Sequence, residues 1–252
     1  MSGEFRKEII LERLDRDQRV SVVELSAEFG VSGETIRRDL KELEAEGAVR
    51  RVHGGAIPAG RAADTPITER IKHNAIEKDQ VAGLARRLID DDCVIFLDTG
   101  TTTLALARRL AGFKRLRLYT NSVRIAQAAC EHFGVQVQMT PGRLRPVEQD
   151  LVGYDTISYI EQFHFDMVFM GVAAVNAGFG FMDFEEDEAR IRQVLLARST
   201  RGVMLADHSK FGKVGNVITA KFDAVDTFVT DMCPPDDIME AVRTGPLEIV
   251  HG

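Results

Sequence analysis

Four short segments of the chain set hydroxyl, amide, carboxylate and ammonium side chains directly after apolar runs: Asp98-Thr99-Gly100-Thr101-Thr102-Thr103, Thr120-Asn121-Ser122, Thr140-Pro141-Gly142 and Asp207-His208-Ser209-Lys210. Together these groups suit the recognition of a phosphorylated, hydroxyl-bearing small molecule. Gly100, Thr101, Thr102 and Thr103 stand between an apolar run and a helix starting near Leu104, so amides, hydroxyls and the helix dipole converge there on an anion. Lys210 supplies a fixed positive charge and Asp98 or Asn121 bonds to sugar hydroxyls, with Ser122 and Gly142 at the neighbouring run ends. Each motif alone has a plainer explanation as a helix cap, a turn or a solvated lysine. Four polar run ends in one sheet are harder to dismiss.

A second chemistry lies near the start of the chain, in Arg37, Arg38, Lys41, Arg50 and Arg51. With about 100° of rotation per residue, Glu34, Arg38 and Lys41 lie opposite Ile36 on a helix, and Arg37 lies on the flank. Such a cationic face reaches guanine edges and phosphates, while Glu42, Glu44 and Glu46 point away from a duplex.

The elements that position these cations are legible from spacing. Phe5, Ile9, Ile10 and Leu14 give a first amphipathic helix over about 4–14, broken by residues 15–19. Ser21-Val22-Val23-Glu24 is a capping box opening a second helix at Val22, and Gly30 ends it in the left-handed conformation. Ser32 caps a third helix with the apolar stripe Ile36, Leu40 and Leu43, closed by Gly47. Residues 49–56 then alternate and turn on two glycines, as a hairpin wing carrying Arg50 and Arg51 to phosphates. Cap, glycine turn and cationic face fall in the order of a winged helix-turn-helix.

Farther along, a helix over about 75–89 precedes Val94-Ile95-Phe96-Leu97, a run suited to a strand buried on both faces. Similar runs at 116–119, 135–139, 167–170, 203–206 and 227–229 alternate with helical stretches, which argues for a mostly parallel α/β sheet. Open sheets of this kind bind ligands at the carboxyl ends of their strands, where the four polar segments fall.

The 252 residues, 44% apolar and 28% charged, suit one small domain joined to one ordinary one. The expected division is a DNA-binding domain over 1–57, a small, polar, proline-bounded linker over 58–74 and an effector-sensing α/β domain over 75–252. The formal net charge of −7 excludes a protein that coats nucleic acid non-specifically, so DNA contact must come from a local patch. No apolar run approaches a membrane span and the acidic start lacks the pattern of a signal peptide, so the expectation is a cytoplasmic protein with no membrane partner. Cys93, Cys130 and Cys233 form no Cys-x-x-Cys pair, and the six histidines show no metal-ligand spacing. Neither a metal nor a cofactor is expected.

The run Val31-Ser32-Gly33-Glu34-Thr35-Ile36-Arg37-Arg38-Asp39-Leu40, followed by Arg51-Val52-His53-Gly54-Gly55-Ala56, resembles the signature of DeoR-type regulators of sugar metabolism. The resemblance implies that Ser32, Thr35, Arg37 and Arg38 touch DNA, brings His53 into the DNA-binding set, and makes Asp39 a structural acid. It covers nearly the whole chain, because the effector domain of these regulators is similar in fold to ribose-5-phosphate isomerase. Gly100 to Thr103 match the hydroxyl-rich phosphate loop that both share, Asp207 to Lys210 match their Asp-x-Ser-Lys segment, and Glu188 is the nearest match to an acidic residue on a helix. Gln162-Phe163, the acidic stretch 184–188 and 207–212 resemble the glycerol-3-phosphate repressor branch. Where the isomerase carries catalytic aspartates, this chain has Gly171-Val172-Ala173-Ala174-Val175-Asn176, with no carboxylate to move a proton. Asn176 also replaces an aspartate common in the regulators, and Arg192 stands where a lysine is expected.

The expected function is therefore a non-enzymatic repressor of a sugar or polyol catabolic operon. Its partners are double-stranded operator DNA, a phosphorylated sugar or polyol, and further copies of itself as a dimer or tetramer. The rival readings are a sugar-phosphate isomerase with a DNA-binding appendage, and a second domain that only oligomerises.

Overall fold

In the computed structural model the chain divides between Thr65 and Pro66 into two units, and the described residues are 3–17, 20–45, 48–52, 54–58, 67–243 and 245–252. The first unit runs α1 (Gly3–Asp17), β1 (Val20–Ser21), α2 (Val22–Phe29), α3 (Gly33–Ala45), β2 (Val49–Val52) and β3 (Gly55–Pro58). Ile10, Leu14, Leu25, Ile36, Leu40 and Leu43 recur at helical spacing and close a small core. No glycine or proline interrupts residues 15–17, and α1 runs through the break expected there. Gly30 takes φ +63° and ends α2 as expected.

The capping box does not form. Ser21 stands at the cap of α2 without a side-chain bond, because it belongs to β1, paired to Gly55, and the Val22 amide donates to the Gly54 carbonyl at 2.9 Å. The wing backbone thus satisfies the first amide of α2 and holds Ser21 in the sheet. Gly55 is required at this crossing, since a Cβ there would lie 1.9 Å from the Val20 carbonyl oxygen.

The second unit begins at Pro66, earlier than residue 75. α4 (Ile67–Arg70) packs on it through a fully buried Ile67, whose amide donates to the Val147 carbonyl. α5 (Ala75–Arg86) follows, and then β4 (Val94–Leu97), α6 (Thr101–Ala107), β5 (Leu116–Thr120), α7 (Val123–Ala129) and β6 (Val135–Met139). A hairpin of β7 (Arg143–Arg145) and β8 (Asp150–Val152) leads into α8 (Tyr154–Ile160) and β9 (Phe165–Gly171). β10 (Ala174–Asn176), β11 (Gly180–Asp183), α9 (Glu186–Ala197), β12 (Ser199–Leu205), β13 (Val217–Ala220), β14 (Thr227–Thr230), α10 (Asp236–Val242) and β15 (Glu248–His251) complete it.

Seven strands form one sheet in the order β15-β14-β12-β9-β4-β5-β6, with every pairing parallel. Alternate residues feed opposite faces: Ile95, Leu97 and Phe169 pack with α5, α6 and α7, while Phe96, Val168 and Met204 pack with α8, α9 and α10. From β4 the chain runs outward through β5 to β6, then returns to β9 on the other side. The order therefore reverses between β4 and β9, the place at which open sheets of this kind hold ligands outside their strand ends. The β7–β8 hairpin and an antiparallel sheet of β10, β11 and β13 lie outside the expected parallel pattern.

Candidate functional site

In the first unit, α3 presents the expected cationic face. Arg37 and Arg38 side chains are 59% and 74% exposed, and Lys41 is exposed. Arg37 pairs with Glu34 at 3.1 Å, and Arg38 approaches Glu42 at 3.9 Å, loose surface pairs that phosphates displace at little cost. Ser32 accepts from the Thr35 amide at 3.2 Å, and its hydroxyl meets that of Thr35 at 2.9 Å, so both residues fix the start of α3. Asp39 is buried and accepts two bonds from Arg6, at 2.6 and 3.0 Å, which makes it a structural acid.

Glu44 does more than point away from a duplex. It accepts from both the amide and the Nε of Arg51, at 3.0 and 2.8 Å, and so braces the wing on α3. Those bonds hold the Glu44 carboxyl below its usual range. Between α3 and the wing lies a groove of about 480 Å³, lined by Val22, Val23, Arg37, Leu40, Arg51, Gly54 and Gly55. Arg50 lies on β2 opposite Ile57; its side chain and all of His53 fall outside the described residues.

In the second unit the expected effector residues gather at the strand ends, but several side chains are already engaged. Asp98, 1% exposed, accepts from Arg192 Nε at 2.6 Å rather than facing the crevice. Asn121 accepts from the Thr99 amide at 3.0 Å, tying the ends of β4 and β5 together. Ser122 caps α7 through the Ile125 amide, and Thr103 donates to the Gly100 carbonyl at 3.0 Å. These four build the crevice wall. Gly100 (φ +156°) opens α6 beside Gly171, where the strand order reverses. Thr101 is half-buried and Thr102 buried, on the same turn. Gly142 (φ +144°) admits Thr156, whose hydroxyl would lie 2.2 Å from a Cβ. Asn176 accepts from the Gly178 amide and only shapes a turn.

Lys210 is half-buried after β12, on the short turn that Asp207 caps. Burial lowers its pKa to about 8, against the opposing pull of Asp207. Its neighbours are groups that sequence reasoning missed. Lys78 is buried and donates to the Arg70 carbonyl at 2.8 Å and to that of His73; burial depresses its pKa. Asp207 Oδ1 accepts from Asn74 Nδ2 at 3.1 Å and from the Ser209 amide at 3.0 Å. Burial raises the Asp207 pKa, but Ser209, Lys210 and Lys78 outweigh it and leave it lowered.

Glu188 lies at the centre of a buried ionic cluster beside this basin. It takes Arg145 at 2.7 Å and Arg192 at 3.3 Å. Arg145 also pairs with Asp150 at 2.6 Å, and Arg192, 3% exposed, with Asp98 and Asp183. Arg70 pairs with Glu148, whose pKa burial pushes up to about 7 despite Arg70. Burial likewise carries Asp98 to about 6 against Arg192. A signal for the missed Lys78, and for the burial of Arg192, was present: Lys78 shares a helical stripe with Val81, Ala82 and Ala85, and Arg192 with Ala189 and Leu195, all buried. A charge in an apolar stripe requires a buried partner.

Two family models match the chain, a DeoR-like helix-turn-helix domain over residues 6–60 and a DeoR C-terminal sensor domain over residues 73–232. The chain is 30% identical over 240 residues to the glycerol-3-phosphate regulon repressor of Escherichia coli (strain K12), covering 95% of each. It is 34% identical over 250 residues to the HTH-type transcriptional regulator GlpR of Haloferax volcanii, covering 98% of this chain and 97% of the other. Ribose 5-phosphate isomerase A of Methanocaldococcus jannaschii gives a partial structural likeness, with a TM-score of 0.40 at 18% identity over 55% of each chain.

Proposed function

This chain belongs to the DeoR family of transcriptional regulators, and we propose that it represses a sugar or polyol catabolic operon until a phosphorylated sugar or polyol binds at the strand ends of its second unit. The carrying observation is that Lys210, on the turn after β12, and Lys78, on α5, both lie beside Asp207, one strand from the β4–β9 reversal of strand order. A phosphoryl group at the Gly100 to Thr103 turn meets amides and hydroxyls there and the charges of Lys210 and Lys78, whose pKa burial lowers, and the hydroxyl-bearing carbons of the ligand extend from it. Similarity to regulon repressors named for glycerol 3-phosphate supports a short polyol phosphate as the effector. The acids of the cluster position these groups rather than meeting the ligand.

On DNA, Ser32 and, on α3, Thr35, Arg37, Arg38 and Lys41 enter the major groove. Arg50 and Arg51 of the wing, with His53, hold the adjacent phosphates. The protein acts in the cytoplasm as a dimer or tetramer reading paired half-sites. An isomerase is the less favoured reading, because the named relatives are transcriptional regulators and β9 is followed by Val172, Ala173 and Ala174, with no acid.

Coupling requires the effector to bind two conformations unequally, by 1–3 kcal/mol in typical cases. Arg38→Ala is expected to abolish operator binding with effector binding intact, and Lys210→Ala to leave a protein that binds operator and ignores effector. Electrophoretic mobility shifts with calorimetric titration check both. Equal loss of DNA binding in the two folded variants overturns the division of roles.

A further inference from the structure

We propose that Arg70 is a phosphoryl-binding residue which Glu148 holds in reserve, so that an arriving phosphoryl group takes the place of the Glu148 carboxylate beside the guanidinium. The inference rests on the phosphorylated-effector reading and names how that same site is regulated.

Arg70 ends α4, the element that opens the described part of the second unit. Its charge acts on both sides of the basin: on Lys78 and Lys210, which it makes less basic, and on Glu148 and Glu188, which it makes more acidic. The guanidinium is thus near both sets: its own carbonyl takes Lys78 and its Nη2 pairs with Glu148. Its carbonyl is fixed by Lys78 at 2.8 Å, so a ligand that engages Lys78 meets the α4 turn directly.

Polar groups in this stretch remain incompletely bonded. Among the described residues Arg70 Nε, Glu148 Oε1 and Asp207 Oδ2 are buried with no hydrogen-bond partner. Glu148 is 5% exposed and Asp207 fully buried, and each such atom costs free energy until something bonds it. A phosphate monoester supplies oxygens for Arg70 Nε, and a neighbouring ligand hydroxyl donates to Asp207 Oδ2. Glu148 is a poor permanent partner for Arg70. It reaches the site from the turn between β7 and β8, where the next residue, Gln149, takes a left-handed φ of +54°. Burial favours its neutral form, against Arg70 and Arg145 and with Glu188 and Asp150 nearby. A doubly charged phosphoryl group offers Arg70 more charge and more acceptors than one carboxylate.

Displacement has a mechanical consequence. The Arg70 to Glu148 pair and the Ile67 amide to Val147 carbonyl bond join α4 to the β7–β8 turn. Exchange of Glu148 for ligand loosens that clasp on the segment immediately following the interdomain connection.

The test is titration calorimetry of the full-length protein with inorganic phosphate. Glu148→Gln keeps the shape and removes the competing charge, and is expected to tighten phosphate binding roughly tenfold, as for one charge-assisted bond. Arg70→Ala should weaken it by roughly tenfold or more, with partial recovery in Arg70→Lys. The decisive readout is the double variant: the gain from Glu148→Gln must vanish in the Arg70→Ala background. Should circular dichroism show the alanine variant unfolded, the Arg70→Lys background serves, where the gain must shrink. An unchanged affinity in Glu148→Gln, or an equal gain without Arg70, overturns the proposal. If neither wild type nor Glu148→Gln binds phosphate at millimolar concentration while both bind an unphosphorylated sugar, the phosphorylated-effector reading itself fails and takes the proposal with it.

Discussion

Replacing Arg192 by methionine removes the cation shared by Asp98, Asp183 and Glu188 while keeping most of the side-chain volume. The cost should depend on pH in a way that a simple packing defect does not. Asp98 titrates near 6 in the folded protein because burial outweighs Arg192, against about 3.9 in an unfolded chain. A carboxyl raised in this way lets the native state bind more protons than the unfolded one between those values, so stability falls as pH rises through that window. In the wild type the fall ends near pH 6, where Arg192 supports the ionised form. Without Arg192 the carboxyl must remain protonated, and the loss continues over the next two pH units, reaching about 3 kcal/mol at pH 8. At pH 5 Asp98 is largely protonated in both proteins, and its share of the difference disappears. With the lost partners of Asp183 and Glu188 added, the destabilisation at pH 8 should total about 3–5 kcal/mol, the range for broken buried pairs. The protein lacks tryptophan, and its three tyrosines, Tyr119, Tyr154 and Tyr159, all lie in the second unit. Urea unfolding followed by tyrosine fluorescence at pH 5 and pH 8 therefore reports on the affected unit alone. Equal destabilisation at the two values, or less than about 1 kcal/mol at pH 8, would refute the reasoning.

Arg51→Ala should lower the slope of log K against log salt for operator binding by about 0.9, the value for one phosphate contact, as measured by fluorescence anisotropy from low to moderate salt. An unchanged slope would mean that Glu44 retains Arg51 when DNA is bound. Gly55→Ala forces a Cβ into the Val20 carbonyl, so the wing must part from β1 at a cost of roughly 3 kcal/mol or more. Operator affinity should collapse in that variant while the tyrosine-reported unfolding of the second unit stays unchanged.

The parts of this fold that were legible in the sequence share one property: a single segment is sufficient to specify them. β4 and the carboxyl-terminal parts of β9 and β12 are buried on both faces and read as apolar runs, and the helices of the first unit show their inner stripes and glycine stops. β7, with the sequence Arg143-Leu144-Arg145, and the edge strand β15, from Glu248 to His251, carry no such run. β15 is placed by β14, 21 residues earlier in the chain, and β7 by its hairpin partner β8, whose Asp150 pairs with Arg145 in place of an apolar signal. The same division explains the site. Residue type and position placed Asp98, Asn121 and Ser122 correctly at strand ends, yet their side chains serve the wall, because Arg192 reaches Asp98 from 94 residues away and Thr99 reaches Asn121 from 22. Arg70 and Glu148 are separated by 78 residues, and nothing local marks either as the partner of a buried charge. Charge pairing in a buried crevice is a property of the assembled sheet. The sequence signals it only indirectly, through a lysine or arginine standing where the helical stripe calls for an apolar side chain, as Lys78 and Arg192 do.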